Sequence, residues 1–329
     1  MSYRHLTRTE REVIFRMKEQ GQKDGSIAAA LGRGVSTISR ERRRNANCDG
    51  RYWPDVAQTK ANARAQGHIR RPKTDHQSLM GYVAERLERR WSPQQIAGRL
   101  GSVGSAPLAG VTISHQTIYR WIWSDPQRVQ RFRPFLRVAW RKRRKPYGRP
   151  SRRGQIPGRV SIDQRPKAVE ARSRVGDWEG DTMVGKGHRG AVATSVDRAS
   201  RYLIARRLTQ ATADGWNARM QGAMRLLPGD RRQTLTVDNG REFAGHEDLA
   251  RKLHLDVYFA HPYHAWERGT CENTNGLLRQ YVPKGTDLLQ LTDWELETYV
   301  RALNNRPRKS LNYRTPAEVF WRRPVALAM

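Results

Sequence analysis

Gly176-Asp177-Trp178-Glu179-Gly180-Asp181-Thr182 is where the period of this sequence changes. Upstream, apolar residues recur at helical spacing. From Gly176 onward, short runs rich in β-branched and aromatic residues take over, at 178–184, 191–196 and 202–208. A helical stretch over 211–227 follows, then a strand at 234–237, a helix at 247–253, a strand at 257–260, and helices at 270–281 and 293–304. Three consecutive strands followed by alternating helix and strand predict an α/β domain built on a mixed sheet.

Three acidic residues stand at the ends of these elements. Asp181 lies in the first strand. Asp238 ends the fourth, in Thr236-Val237-Asp238-Asn239-Gly240-Arg241-Glu242-Phe243, and Glu272 opens a helix in Arg268-Gly269-Thr270-Cys271-Glu272-Asn273. In-line cleavage of a phosphodiester asks for one metal to activate the attacking oxygen and another to stabilise the leaving oxygen. Hard Mg²⁺ or Mn²⁺ takes carboxylate oxygens and keeps waters. Three carboxylates brought together repel one another unless a cation lies between them. Asp181, Asp238 and Glu272 are therefore the candidate catalytic and metal-binding set, with two Mg²⁺ ions, replaceable by Mn²⁺, as the expected cofactors.

Other acids compete. Asp177 shares the strand parity of Asp181, whereas Glu179 is expected on the opposite face. Glu242 reads as a polar turn residue just beyond the strand, Glu267 as a loop residue and Asp197 as a surface turn residue. His261 and His264 flank Pro262 and imitate a metal pair, but loop histidines beside a polyanion read better as phosphate-binding or packing groups. Arg279 falls seven residues after Glu272, on the same helical face as Asn275 and Gly276. Integrase-like cores are similar in placing a basic residue seven beyond a Glu, and that resemblance implies a DNA-phosphate contact for Arg279, a plain surface arginine being the alternative.

Residues 6–45 read as three short helices. Thr7 and Glu10 have capping-box spacing. Ile27, Ala28 and Leu31 mark a second helix closed by Gly32, and Ser36 is expected to cap a third. Ser36, Thr37, Arg40, Arg43 and Arg44 give that third helix the polar face a major groove accepts. The pattern recurs: Ile27-Ala28-x-x-Leu31 is echoed by Ile96-Ala97-x-x-Leu100, and Thr37-Ile38-x-Arg40 by Thr117-Ile118-x-Arg120. Ser92 and Pro93 sit where a cap and first-turn proline belong. Gln116, Thr117 and Arg120 form the corresponding second face. Two ordinary helical hairpins would show the same spacing, but the repetition favours two readers. The block Arg141-Lys142-Arg143-Arg144-Lys145 reads as a solvated tether that also clamps phosphates. The expected organisation is a first helix-turn-helix domain at 1–48, a second at 75–125, a basic linker at 126–165 and a catalytic domain at 166–329.

The charge agrees. The 329 residues carry 62 Lys and Arg against 31 Asp and Glu, a net charge of +31. Residues 1–150 hold 32 basic and 11 acidic side chains, residues 151–329 hold 30 and 20, so most of the excess lies in the first half. A polyanionic partner is implied, and nucleic acid is the usual one. A mean hydropathy of −0.83 and the lack of a long apolar run argue against a membrane partner. Met1 to Glu10 has no apolar core of the kind secretion signals need. Cys48 and Cys271 stand far apart, which excludes a cysteine zinc site and fits a cytoplasmic setting.

These stretches, with His261-Pro262-Tyr263-His264 through Pro283-Lys284-Gly285-Thr286-Asp287 and Tyr313-Arg314-Thr315-Pro316-Ala317-Glu318, resemble the transposases of the insertion-sequence-thirty family over nearly the whole chain. The resemblance implies a ribonuclease-H-like integrase core, with the family's Asp-Asp-Glu triad falling on Asp181, Asp238 and Glu272. It also implies double-stranded DNA partners, namely the terminal inverted repeats of a bacterial insertion sequence and a target. Strand transfer after cleavage, an assembly of at least a dimer on DNA and a nucleoid-associated location come with it. The rival is a helix-turn-helix regulator whose catalytic half is silent; intact acids at all three positions argue against it. Arg42, where the family has an apolar residue, is expected to weaken the packing of the first recognition helix. If both repeats read bases, Arg40→Ala and Thr117→Ala each relax specificity at separate positions by about 1–3 kcal/mol. Selection of bound sequences from a randomised terminal repeat, at fixed salt, checks this; an unchanged profile for Thr117→Ala defeats the second reader.

Overall fold

The structure, a computed structural model, describes residues 5–67, 72–102, 108–137, 156–262 and 264–322. The basic block at 141–145 lies outside the described residues. The chain divides into two units, Met1–Asp75 and His76–Met329. No helix among the described residues is long and apolar enough to cross a membrane.

The first unit holds α1 (Arg8–Glu19), α2 (Asp24–Leu31), α3 (Val35–Asn45) and α4 (Pro54–Gly67). Thr7 and Glu10 form the predicted capping box at α1, and Gly32 closes α2 in the left-handed region at φ 59°. The cap of α3 is Gly34, so Ser36 lies inside the helix rather than before it. Ile14, Ile27 and Ile38 are fully buried between the first three helices. The fourth helix was not foreseen. It extends the unit past residue 48, because Ala57 and Tyr52 complete the same core. Arg42 does not disturb α3: its guanidinium lies 2.6 Å from Asp24 Oδ1, turning the polar substitution into a helix-to-helix ion pair.

The second unit begins with α5 (Gln77–Glu88), α6 (Pro93–Ser102), α7 (His115–Trp123) and α8 (Pro126–Phe132). The pair α6 and α7 carries the repeated pattern. Ile96, Ile118 and Ile122 are buried together with Leu79 and Val83 of α5. The expected linker at 126–165 is shorter at both ends. Asp125 caps α8, whose Phe132 is 1% exposed in this helical core. At the far end Val160 O accepts from Phe259 N at 2.9 Å, and Arg165 Nη1 donates to Thr236 at 3.0 Å.

After a short α9 (Lys167–Glu170) come β1 (Asp177–Val184), β2 (Ala191–Asp197), β3 (Leu203–Leu208), α10 (Ala213–Met224), β4 (Thr234–Val237), α11 (His246–Leu253) and β5 (Asp256–Phe259). The strands form one mixed sheet in the order β3-β2-β1-β4-β5. β1 pairs antiparallel with β2 and parallel with β4; β2–β3 is antiparallel and β4–β5 parallel. Each strand end at β4 or β5 is reached through a helix, the connection parallel pairing requires. Trp178 and Gly180 point to the face covered by α10, where Trp216, Met220 and Met224 are buried. Met183, Val192 and Val196 point to the other, covered by α12 (Gly269–Leu278) and α13 (Asp293–Asn304).

The closing helix α14 (Pro316–Phe320) and the loop before it hold α6 against the sheet-bearing half. Arg99 and Glu318 form a buried ion pair, with Arg99 Nη1 also donating to Tyr313 O at 3.0 Å and Gln95 Nε2 to Pro307 O at 2.7 Å. Gly98 abuts the Tyr313 ring, leaving no room for a Cβ. Removing one partner of a buried pair strands the other charge. Arg99→Met is therefore expected to cost about 3–5 kcal/mol in urea unfolding of the full chain. Glu318→Gln in the same chain should recover much of that loss, because glutamine still accepts at the α14 cap and carries no charge.

Candidate active site

β1 and β4 lie side by side and parallel, with Glu179 opposite Thr236. Two residues further along each strand direction stand Asp181 and Asp238, so neighbouring strand ends deliver the two acids to one place. One cation spans them. Arg268 Nη1 lies 3.3 Å from Asp181 Oδ1 and Arg268 Nη2 2.8 Å from Asp238 Oδ2. Arg268 Nη1 also donates to Gly180 O at 3.1 Å. Asp181 Oδ2 accepts from Asn275 Nδ2 on α12 at 2.8 Å, and Asp238 Oδ1 from the Gly240 amide at 2.9 Å. The turn after Asp238 is pinned by Asn239, which takes a bond from Arg159 and donates to Ala260 O at 2.8 Å.

Glu272 does not join them. It is exposed on α12, and among the described residues no group of three or more His, Cys, Asp and Glu side chains is arranged to hold a metal ion. Glu272 is still well placed, one turn before the Asn275 that touches Asp181. The two aspartates themselves suit a divalent ion: they are hard oxygen donors converging on a single positive charge. Burial pushes the Asp181 carboxyl up, Arg268 opposes this, and Asp238 adds to it.

Several acids lie elsewhere than expected. Glu179 shares the face of Asp181, because residues two apart on a strand point the same way. It is wholly buried; Oε1 accepts from Arg198 Nη1 at 2.7 Å and Oε2 from the Cys271 amide at 2.8 Å. Asp197 is a buried anchor rather than a surface turn residue: it accepts from Gly176 N at 2.7 Å and from Ser200 N at 2.6 Å. Asp177, also buried, pairs with Arg174 at 2.8 Å and is committed to structure. Glu242 stands closer to the chemistry than a turn residue would. Its carboxyl is raised by burial and by Asp238 and Asp181, and its place in the Asp-Asn-Gly-x-Glu turn was the available signal.

The remaining candidates divide. Arg279 is half-buried at the end of α12, where Nη2 donates to Val184 O at 3.3 Å, and burial lowers its pKa. Ser36, Arg40, Arg43 and Arg44 are exposed on α3, and Thr37, Arg40 and Arg44 line one groove with Arg11 and Arg64. On α7, Gln116 and Arg120 are exposed, while the Thr117 hydroxyl lies 2.8 Å from that of the capping Ser114. His264 Nδ1 lies 2.8 Å from Pro262 O, and His261 is held between two carboxylates, so neither histidine offers a metal pair.

Residues 171–265 match the integrase core domain family, and residues 2–45 a helix-turn-helix domain family. The chain is 41% identical to the transposase for insertion sequence element IS4351 of Bacteroides fragilis, over 96% of this chain and 95% of that one. It is 40% identical to the transposase for insertion sequence element IS1086 of Cupriavidus metallidurans, over 97% and 94%. Transposase InsI for insertion sequence element IS30C of Escherichia coli is 37% identical over 98% and 85%. An integrase core behind a helix-turn-helix domain defines a DNA-cleaving enzyme of the Asp-Asp-Glu type that binds DNA. The chain belongs to the insertion-sequence-thirty family of transposases.

In the loop leading into Arg268, His261 bridges two carboxylates. His261 Nδ1 lies 2.8 Å from Glu267 Oε1 and Nε2 3.0 Å from Asp163 Oδ2; these bonds, that to Glu267 first, raise the imidazole pKa. A raised folded-state value means the contribution is complete below the ordinary histidine value of 6.5 and is lost as pH rises through the raised one. Trypsin cleavage after Arg268 should accelerate more between pH 6 and 8 in the wild type than in His261→Gln. Equal acceleration in both would show that the bridge does not titrate.

Proposed function

We propose that Asp181, Asp238 and Glu272 are the catalytic acids, and that they hold two Mg²⁺ ions, replaceable by Mn²⁺. The observation that carries this reading is the convergence of Asp181 and Asp238, from adjacent parallel strands, on one shared cation. When bound, the ions supply the charge that activates the attacking oxygen and stabilises the leaving one. The chain's own residues do the positioning. Asn275 orients the Asp181 carboxylate through Oδ2, the Gly240 amide orients Asp238 through Oδ1, and α12 supplies Glu272 one turn before Asn275.

On this reading the enzyme excises or joins an insertion sequence by hydrolysing DNA at its terminal inverted repeats. The freed 3′-hydroxyl then attacks target DNA. Ser36, Thr37, Arg40, Arg43 and Arg44 on α3 enter one major groove. Gln116, Thr117 and Arg120 on α7 form a second reading face, directed away from the Ile96–Ile118 core. Arg141 to Lys145 and Arg279 neutralise phosphates. Cutting two element ends together calls for at least two copies of the chain on DNA.

Asp238→Asn should abolish strand cleavage in Mg²⁺ and in Mn²⁺ while leaving binding of the terminal repeat nearly unchanged. The acid lies on the sheet, far along the chain from either reading helix. Strand cleavage on labelled duplex and mobility-shift titration, run on the same preparation, check both halves. Cutting at the wild-type rate would remove Asp238 from the active set.

A further inference from the structure

The arginines of the catalytic half fall into two kinds. Arg198 spends its donors on Val169 O, Glu179 and Glu267 O, and ties together parts of the chain that do not move in any step described above. Arg268 differs. Two of its nitrogens lie on the carboxylate oxygens of Asp181 and Asp238, the same atoms a divalent ion would need. Its third, Nε, is buried without a hydrogen-bond partner. The same is true of Nε in Arg42 and Arg165, so what sets Arg268 apart is the pair of carboxylates it spans. Arg268 also stands at the junction of a short 3-10 turn (Ala265–Arg268) and α12, four residues before Glu272. A swing of its long side chain is all that separates the clasped arrangement from an open one.

We propose that Arg268 is a tethered counter-cation of the active site, which competes with divalent metal for Asp181 and Asp238 when no DNA is bound. The proposal rests on the two-aspartate reading above and adds the control over it. With Arg268 in place the two carboxylates are partly neutralised, and Glu272 has no reason to turn inward. With Arg268 withdrawn, the acids repel one another and bind a divalent ion more strongly. A nuclease whose metal site is discounted by its own arginine is weakly loaded while free. An incoming backbone phosphate, itself an anion, is the natural group to draw the guanidinium aside.

The test is Mn²⁺ titration of the DNA-free full chain, with free Mn²⁺ read by its electron paramagnetic resonance signal. Arg268→Gln, which removes the charge, should bind Mn²⁺ about tenfold more tightly than wild type. Arg268→Lys keeps a point charge but loses the fork that spans both acids, so its gain should be smaller, about two- to threefold. If Arg268→Gln folds poorly, the lysine variant alone decides. Affinity no tighter than wild type in the folded variants overturns the proposal, as does an equal gain for Lys and Gln, since charge would then not be the cause. Asp238→Asn is added to each chain. Mn²⁺ binding that Asp238→Asn weakens but Arg268→Gln does not strengthen sinks this proposal alone. Binding that Asp238→Asn leaves untouched sinks the two-aspartate site, and the proposal with it.

Discussion

A carboxylate fully removed from water joins the central strand to the helix that carries Glu272. Glu179 on β1 receives the Cys271 amide at the start of α12 on one oxygen and the Arg198 guanidinium on the other. A charge buried this deeply persists only because both oxygens are matched, one by a full positive charge and one by the positive end of a helix. The link fixes how far α12 stands from the sheet. Asn275 reaches Asp181 because of it, with Glu272 one turn earlier on the same helix. Arg198 extends the tie to Val169 O and Glu267 O, so the segment ahead of α12 is held by the same group.

Much of this was legible in the sequence. The change from helical to strand period at Gly176, the five strands and α13 at Asp293–Asn304 followed from apolar spacing and cap residues alone. That Asp181 and Asp238 come together was legible too, because each ends or lies within a strand run whose geometry is stiff. What escaped was long-range. Nothing local marks Arg268 as the partner of residues 87 and 30 positions away. Nothing in the spacing of Arg99 announces Glu318, more than two hundred residues later. Pro54–Gly67 was missed because its helix carries little amphipathic contrast, its burial being confined to a few small side chains such as Ala57. Asp197 was misjudged for a related reason. A turn composition of Asp-Arg-Ala-Ser describes solvent-facing turns as well as this buried one, in which Ser200 and the Gly176 amide absorb the charge.

The acids show how one residue type serves opposite ends within a single strand. Asp177, Glu179 and Asp181 alternate onto the same face, yet only the last is half-open to solvent. The first two are consumed by Arg174 and Arg198. On the reading proposed above, chemistry is confined to the strand end where Arg268 is shared between two acids, while the interior of the strand uses the same kind of carboxylate as a fastener.

The attachment of α6 to the loop before α14 changes what the basic segment after residue 137 has to do. A reading helix suspended on a flexible leash would have to be disciplined by the leash: its length would set where the blade falls. Here α7 and the acids belong to one packed unit, in which Arg99, Gly98 and Gln95 fasten α6 to the loop before α14. On the reading proposed above, the unit works as a ruler, with the recognised base at one mark and the scissile bond at another. The distance between the two marks is then set across the fold and not by the length of the basic segment between residues 137 and 156.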